Sequence, residues 1–208
     1  MTHDKRMYAP AAERNKDAIY ACLKERLPNS GSILEIASGT GEHAAHLCPL
    51  FPNIDWQATN FDEEHLTSAI SWQEHCQLEN FLPVLSLDAC SNLWPVEKNN
   101  YAHAPFDALF NANMIHISPW AVCEGLFAGA NRVLKTGGKL FLYGPFKLNG
   151  EHTSESNVKF EQWLKDKDPS FGVRDLADVI KVASANNLSH EESCGMPANN
   201  FIQVFVKK

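Results

Sequence analysis

The chain has 208 residues, of which 44% are hydrophobic and 21% are charged, and such a chain can bury a core without disulfides or metal ions. The net charge of −7 and the lack of any run of Lys or Arg argue against a protein that holds nucleic acid through its phosphates. The six cysteines form no C-x-x-C pair, and neither a signal segment nor an apolar stretch of membrane-spanning length is present. The sequence therefore predicts a cytoplasmic protein with reduced thiols and no membrane association.

Helical and strand patterns alternate along most of the chain. A leading helix is predicted at 11–27, because apolar residues recur at helical spacing just after a proline. The other predicted helices are 42–51, 63–78, 118–134, with Ser118 as N-cap and Pro119 as first helical residue, 160–165 and 175–185. The predicted strands are SILEIA (32–37), IDWQATN (54–60), FLPVLSLDA (81–89), FDALFNAN (106–113), GGKLFLYGP (137–145), LSHEESCGMP (188–197) and NNFIQVFVKK (199–208).

This order of elements predicts an α/β fold. Alternating strands and helices imply right-handed crossovers and a doubly wound, mostly parallel, seven-stranded Rossmann-like sheet with helices on both faces. The last two strands are joined by a turn too short for a crossover helix, so the final strand is expected to be antiparallel. We expect a single domain over 1–208, with a leading segment at 1–30 that folds over a pocket at the carboxyl ends of the strands.

A glycine-rich turn follows the first strand, in ILEIASGTGEH (33–43). Gly39, Gly41 and Ala44 match the relaxed dinucleotide fingerprint G-x-G-x-x-G/A, which alone is a weak signal. Glu35 precedes the turn and Glu42 follows it, and a carboxylate within about 4 Å of a phosphate repels it by on the order of 1 to 4 kcal/mol. S-adenosylmethionine instead brings an ammonium and a sulfonium, so the charges favour this methyl donor as the ligand.

With this strand-end acid and glycine-rich turn, and with the order of elements that follows, the sequence resembles the class I methyltransferases from about Ser32 to Lys208. The resemblance implies that the strand-end acid Glu35 and the loop of Ser38, Gly39 and Gly41 hold the methionine part of the donor, although Ala37 stands where the first glycine is usual. It also implies that Asp88 and the backbone N–H of Ala89 receive the adenine.

The ribose ligand is left open by the same resemblance. The acid that usually binds the ribose hydroxyls falls near TNFDEE, where Asn60 can accept one hydrogen bond and Asp62 offers a carboxylate two residues later.

A narrower resemblance covers five stretches: YAPAAERN, NMIHISPW, FKLNGEHTSESN, DPSFGVRD and MPANN. These look like the methyltransferase-like protein 26 family, whose substrate is unassigned. The narrower resemblance supports the same fold and donor, and it leaves the acceptor open.

Three polar residues near the end of the fourth strand are candidates for the chemistry. His116 is placed where a base could take a proton from a methyl acceptor, and the alternative is that it packs under its loop. Asn111 and Asn113 could bind the donor's methionine part or the acceptor, or could satisfy buried loop backbone instead.

Candidate acceptor ligands lie near the two ends of the chain. Tyr8, Arg14 and Asn15 precede the sheet, and Arg14 could grip a carboxylate or be a solvated helix charge. Arg174 and Asn200, with Glu151, His152 and Asn199, would form a polar site if they converge. We expect no metal site, because His43 and His46 lack further ligands and Cys48 lies on another helical face.

The leading functional hypothesis is an S-adenosylmethionine-dependent methyltransferase that acts on a small molecule or another modest polar acceptor and releases S-adenosylhomocysteine. The signature [ND]-P-P-[YF] of adenine-amine methyltransferases is absent, since NANM stands there, which weakens nucleic acid as substrate. One alternative is a non-catalytic protein that senses the donor. A nicotinamide-dependent oxidoreductase is disfavoured by Glu35 and by the C-terminal hairpin.

Overall fold

We describe the protein from a computed structural model, for residues 4–98 and 101–208. The helices are α1 (Pro10–Lys24), α2 (Glu42–Leu47), α3 (Glu63–Cys76), α4 (Trp120–Val133), α5 (Glu155–Lys167) and α6 (Leu176–Ala185). The strands are β1 (Gly31–Glu35), β2 (Ile54–Asn60), β3 (Leu85–Ser86), β4 (Phe106–Ala112), β5 (Leu134–Gly144), β6 (Lys147–Leu148), β7 (Glu151–His152), β8 (Leu188–Met196) and β9 (Asn200–Lys207). Short 3-10 turns are formed at Cys48–Leu50, Pro95–Glu97, Met114–His116 and Pro197–Asn199. No helix in these two ranges is long and apolar enough to cross a lipid bilayer.

Seven strands form one sheet in the order β3-β2-β1-β4-β5-β9-β8. The pairs among the first five strands of this order are parallel, and β9 is antiparallel to both β5 and β8. The predicted fold class is therefore confirmed, including the reversed last strand. The strand order changes direction between β1 and β4, so their carboxyl ends flank the position where ligands bind in open α/β sheets.

Both faces of the sheet are covered, because successive strand residues point to opposite sides. On one side Leu34 and Leu109 pack in a core with α4 and α6. On the other side Ile33 and Phe110 pack in a second core with α1 and α2. This alternation between neighbouring positions explains why the central strands carry consecutive apolar residues: each strand is buried on two faces.

Two predicted elements are shorter than expected, and both contain a proline. The strand predicted at 81–89 pairs regularly only at Leu85–Ser86, after an isolated bridge between Phe81 and Trp56. Pro83 has no N–H for the strand ladder, which accounts for the interruption. The helix predicted at 42–51 ends at Leu47 and continues as a 3-10 turn that contains Pro49.

Two predicted helix starts are shifted. Pro119, expected inside α4, is its N-cap, and the Ser118 hydroxyl donates to the Met114 carbonyl of the preceding turn instead of capping the helix. Helix α5 begins at Glu155, before the predicted 160, because Ser154 caps it by accepting the backbone N–H of Asn157.

Candidate functional site

The glycine loop between β1 and α2 has a left-handed backbone at three positions. Gly39 and Gly41 have φ of 58° and 91°, and Ala37, at the position of the usual first glycine, has φ of 54°. A Cβ on Gly41 would lie 2.8 Å from the backbone of Ala69, whereas a Cβ on Gly39 would meet no atom within 4 Å. Gly41 therefore allows close packing on α3, and Gly39 leaves open space above the loop.

Asn60 holds this loop in place from the end of β2. Its Oδ1 accepts the backbone N–H of Gly39 at 2.9 Å, and its Nδ2 donates to the carbonyls of Gly39 and His65, each at 3.0 Å. Asp62 caps α3 by accepting the His65 N–H at 2.9 Å and also contacts the His65 ring. Both candidate ribose ligands thus have partners within the protein, and Asp62 is the more exposed of the two.

Glu35 ends β1 with a carboxyl group that is only 1% exposed. The indole N–H of Trp56, on the neighbouring strand, donates to this carboxyl at 2.8 Å. Burial raises the pKa of Glu35 to about 7, and the hydrogen bonds from Trp56 and Ser38 offset this only in part. No cation pairs with Glu35 among the described residues, so the group suits a ligand that brings a positive charge.

Asn111, at the end of β4, crosses to the first strand by donating from Nδ2 to the Ile36 carbonyl at 2.7 Å. Its Oδ1 is buried and has no partner among the described residues. Such an oxygen is costly to leave unpaired, so it fits a hydrogen-bond donor such as an ammonium group.

Asp88 and the buried Ala89, the predicted adenine ligands, lie beyond β3, where Asp88 accepts the Cys90 N–H at 2.8 Å.

Phe61 is a feature of this edge that the sequence analysis missed. It directly follows Asn60 at the end of β2, and 69% of its surface is exposed. The sequence contained one signal for this residue: a large apolar side chain stands between the polar end of β2 and the polar start of α3, where a solvent-exposed residue is expected. An exposed aromatic ring here offers a flat surface to a ligand base.

A cavity of about 650 Å³ lies beside this edge. Four predicted acceptor residues line it: Arg14 and Asn15 from α1, Asn113 after β4, and Asn200 at the start of β9. The rest of the described lining comes from Ala11, Tyr143, Pro145, Ser156, Asn157, Phe160, Pro197 and Ala198. The leading helix, the sheet, α5 and the C-terminal turn thus meet around one space.

The predicted acceptor residues Tyr8 and Arg174 lie elsewhere, and Glu151, His152 and Asn199 are likewise outside the cavity lining. Tyr8 packs edge-on against Trp72 of α3, with ring centroids 5.2 Å apart, and lines a different cavity. Arg174 donates to the carbonyls of Ile115 at 2.8 Å and Ser118 at 2.6 Å, and its guanidinium covers the Trp120 ring. Arg174 therefore holds the loop after β4 together instead of lining the cavity.

His116 is fully buried beneath that same loop. Its Nδ1 accepts the backbone N–H of Arg174 at 3.2 Å, and its ring packs edge-on against Phe146. The ring also lies close to Gly144, where a Cβ would come within 2.5 Å of Nε2. Burial, aided by the charge of Arg174, lowers the pKa of His116 to about 3, so the ring is neutral. This placement favours packing under the loop, the alternative to catalysis, and the catalytic role stays a prediction.

The histidines of α2 lie against residues of α1. His43 Nε2 contacts Asn15 Oδ1 at 2.8 Å, and His46 lies 3.0 Å from Asp17. The described ranges contain no group of three or more His, Cys, Asp or Glu arranged to hold a metal.

The sequence as a whole matches one family model. This model, described as Protein of unknown function (DUF938), covers residues 6–207. The chain belongs to the DUF938 family. The match extends over the glycine loop, the cavity and the C-terminal hairpin, so this DUF938 chain carries the whole site within the family's boundaries.

Three solved structures that resemble the DUF938 chain are described as O-methyltransferases. Mitomycin 7-O-methyltransferase MmcR has a TM-score of 0.77 at 12% identity, over 95% of this chain and 54% of its own. NcsB1, an O-methyltransferase from neocarzinostatin biosynthesis solved with S-adenosylmethionine and 2-hydroxy-5-methyl naphthoic acid, has a TM-score of 0.75 at 12% identity, over 95% and 55%. A putative O-methyltransferase from Nostoc punctiforme has a TM-score of 0.75 at 16% identity, over 92% and 55%. The chain spans about half the length of these proteins, and the likeness establishes a shared fold.

Proposed function

We propose that the protein is an S-adenosylmethionine-dependent methyltransferase that acts on a small polar molecule and releases S-adenosylhomocysteine. The observation that carries the proposal is the buried Asn111 Oδ1, which has no partner among the described residues and lies beside a loop that is open above Gly39. The low-identity structures support it, since NcsB1 is solved with the same donor. So does the resemblance of five sequence stretches to the methyltransferase-like protein 26 family.

In this proposal the edge of the sheet holds the donor in separate parts. Asn111 Oδ1 accepts a hydrogen bond from its ammonium, the Glu35 carboxyl attracts the same ammonium from the opposite face of the neighbouring strand end, and the loop around Gly39 carries the methionine chain. Asp88 and the Ala89 N–H receive the adenine, whose flat side lies against Phe61. Asp62 is the better ribose ligand, because the Asn60 side chain already uses its oxygen and both amide hydrogens within the protein.

When bound, S-adenosylmethionine supplies a methyl group that leaves the sulfur, which keeps the bonding electrons, as an acceptor lone pair forms the new bond. The protein's own contribution is orientation and the exclusion of water, which is worth up to roughly 7 to 11 kcal/mol in favourable cases. Helix α1, within the leading segment at 1–30 of the single proposed domain, closes the acceptor cavity through Arg14 and Asn15. We place the protein in the cytoplasm, where thiols stay reduced.

Binding calorimetry with S-adenosylhomocysteine tests the donor site, with NADH run in parallel. We expect the first ligand alone to bind. Gly39→Ala should abolish most of this affinity, because its Cβ enters the space left for the ligand, while the free protein loses only about 1 kcal/mol through the left-handed backbone.

Gly137→Ala is the matched control. Gly137 also has a positive φ, of 78°, with no atom within 4 Å of an added Cβ, but it lies at the opposite end of the strands. The Gly137→Ala variant should lose a similar free energy of unfolding, and its affinity for S-adenosylhomocysteine should be unchanged. Binding of NADH alone, or equal affinities in both variants, would overturn the donor assignment.

Transfer itself separates an enzyme from a donor-sensing protein. S-adenosylmethionine with an isotopically labelled methyl group, incubated with the protein and a panel of small polar molecules, should yield labelled product and S-adenosylhomocysteine in equal amounts. Tight donor binding with no product from any acceptor would favour the sensing alternative.

A further inference from the structure

We infer that the cavity lined by Arg14 binds an acceptor that carries one carboxylate group on an apolar body. That the ligand is a methyl acceptor rests on the proposed function. The chemistry of the ligand is inferred from the cavity alone. It names a substrate class that the fold and the family description leave open.

The first argument is the charge of the cavity. The chain has a net charge of −7, yet Arg14 is the one charged residue in the described lining. Of the acidic residues near it on α1, Glu13 pairs with Lys16, and Asp17 is exposed and lies 3.0 Å from His46. A cation that faces a cavity without a carboxylate partner is suited to an anionic ligand.

The other arginines show how unusual this position is. Arg6, Arg26 and Arg132 each form a salt bridge with a carboxylate. Arg174 donates to three backbone carbonyls. Arg14 makes no hydrogen bond or salt bridge with the residues in 4–98 and 101–208, so its fork of N–H donors is left for a ligand.

The uncharged groups around Arg14 also present donors. Tyr143 is buried at the end of β5, and burial raises the pKa of its phenol, which therefore keeps its proton at neutral pH and can donate it in a hydrogen bond. Asn15 Oδ1 is occupied by His43, and the Asn15 side chain also interacts with the Tyr143 hydroxyl, so the two side chains lie together at this wall of the cavity. The Asn113 side chain makes no hydrogen bond within the described residues. These groups complement the oxygens of a carboxylate.

The remaining walls set the size and polarity of the ligand. Phe160, Pro145 and Pro197 are apolar, and a volume of about 650 Å³ is typical of small-molecule sites. One guanidinium balances one negative charge. A phosphate monoester, with a charge of about −1.5 to −2 at neutral pH, would remain partly uncompensated there, so we favour the carboxylate.

The test is a binding panel measured by ligand-observed NMR on protein saturated with S-adenosylhomocysteine. The probes are benzoate, 2-naphthoate and hexanoate, each paired with its amide, together with phenyl phosphate. We expect at least one carboxylate to bind, and its amide to bind at least about tenfold more weakly, because the amide cannot form charge-assisted hydrogen bonds with Arg14.

Arg14→Gln should weaken carboxylate binding by about 10- to 100-fold and leave affinity for S-adenosylhomocysteine unchanged. Arg14 is exposed, so the variant should fold normally. Lys24→Gln is the matched control, because it removes one positive charge from the same helix outside the cavity, and it should bind as the native protein does.

Three results would overturn the inference: equal affinity for carboxylate and amide, no effect of Arg14→Gln, or no carboxylate binding at millimolar concentration. Tighter binding of phenyl phosphate would replace the carboxylate with a phosphate ester. If carboxylates bind in the predicted way but S-adenosylhomocysteine never does, the proposed function fails and the anion site stands.

Discussion

The indole N–H of Trp56 donates to the Glu35 carboxyl over 2.8 Å, and both side chains are buried on the same face of the sheet. The pairing follows from the parallel register, in which Glu35 lies opposite Ala58 and Trp56 opposite Ile33. The hydrogen bonds from Trp56 and Ser38 do not fully compensate for the burial of a charge, so this carboxyl group is held near half-ionisation at neutral pH.

A pH-dependent stability difference should therefore separate Glu35→Gln from the native protein. The folded-state pKa of Glu35, about 7, lies above the ordinary 4.5, so its favourable contribution is present below pH 4.5 and is lost as the pH rises through 7. The free energy of unfolding of Glu35→Gln relative to native should rise across this window by on the order of 3 kcal/mol. Urea denaturation between pH 4 and 8 measures it, with the surface variant Glu64→Gln as the control. A free-energy difference between Glu35→Gln and the native protein that stays constant over this pH range would contradict the assignment.

Donor binding should release a proton through the same group. At pH 6 the Glu35 carboxyl of the free protein is mostly protonated, and an ammonium placed beside it favours the ionised form. Calorimetry of S-adenosylhomocysteine binding in buffers of different ionisation enthalpy should show proton release in the native protein and none in Glu35→Gln. Equal release by both proteins would mean that the ligand's ammonium does not act on the Glu35 carboxyl.

Asn60→Asp should lose stability and donor affinity together. The substitution removes the N–H groups that bind the carbonyls of Gly39 and His65, and it places a carboxylate against both, at a cost of roughly 1 to 3 kcal/mol. Asn80→Asp is the control, because the Asn80 amide also donates to backbone carbonyls, those of Cys48, Phe51 and Ile54. Both variants should be destabilised, but only Asn60→Asp should bind S-adenosylhomocysteine more weakly, and equal affinities would exclude Asn60 from the loop's function.

His116 should remain neutral down to about pH 4, since burial lowers its pKa to about 3. Because the folded-state pKa lies below the ordinary 6.5, its stabilising contribution is present above pH 6.5 and is lost as the pH falls. Nitrogen NMR of the imidazole should show one tautomer, with the proton on Nε2 and Nδ1 accepting from Arg174. A titration midpoint near neutral pH would instead restore His116 as a candidate base.

Most of the fold could be predicted from local patterns, because the alternation of apolar strands and amphipathic helices depends on residues close together in sequence. The turn at Gly39 and Gly41 could also be predicted from the sequence, since glycine tolerates a left-handed backbone. The convergence of Arg14 and Asn200 on one cavity follows from the topology once both are expected at the carboxyl ends of the strands.

Tertiary contacts that have no local signature could not be predicted. Arg174 donates to carbonyls that lie 56 and 59 residues earlier in the chain. Its role in holding the loop after β4 therefore cannot be predicted from the local stretch DPSFGVRD. The burial of His116 depends on the missing side chain of Gly144 and on Phe146, both from the next strand and its end. Polar residues near a sheet edge look alike in sequence whether they face a ligand or brace a loop.

The described lining of the proposed acceptor cavity includes residues from both ends of the chain, with Arg14 in the first helix and Asn200 in the last strand, while the proposed donor edge lies within residues 35–111. During synthesis the donor edge can assemble early, but the acceptor cavity is complete only after the final hairpin has docked. Substitutions in the Pro197–Asn199 turn change the cavity wall without touching the glycine loop. Under the proposed function, members of the family can therefore diverge in acceptor while keeping one way of holding the donor.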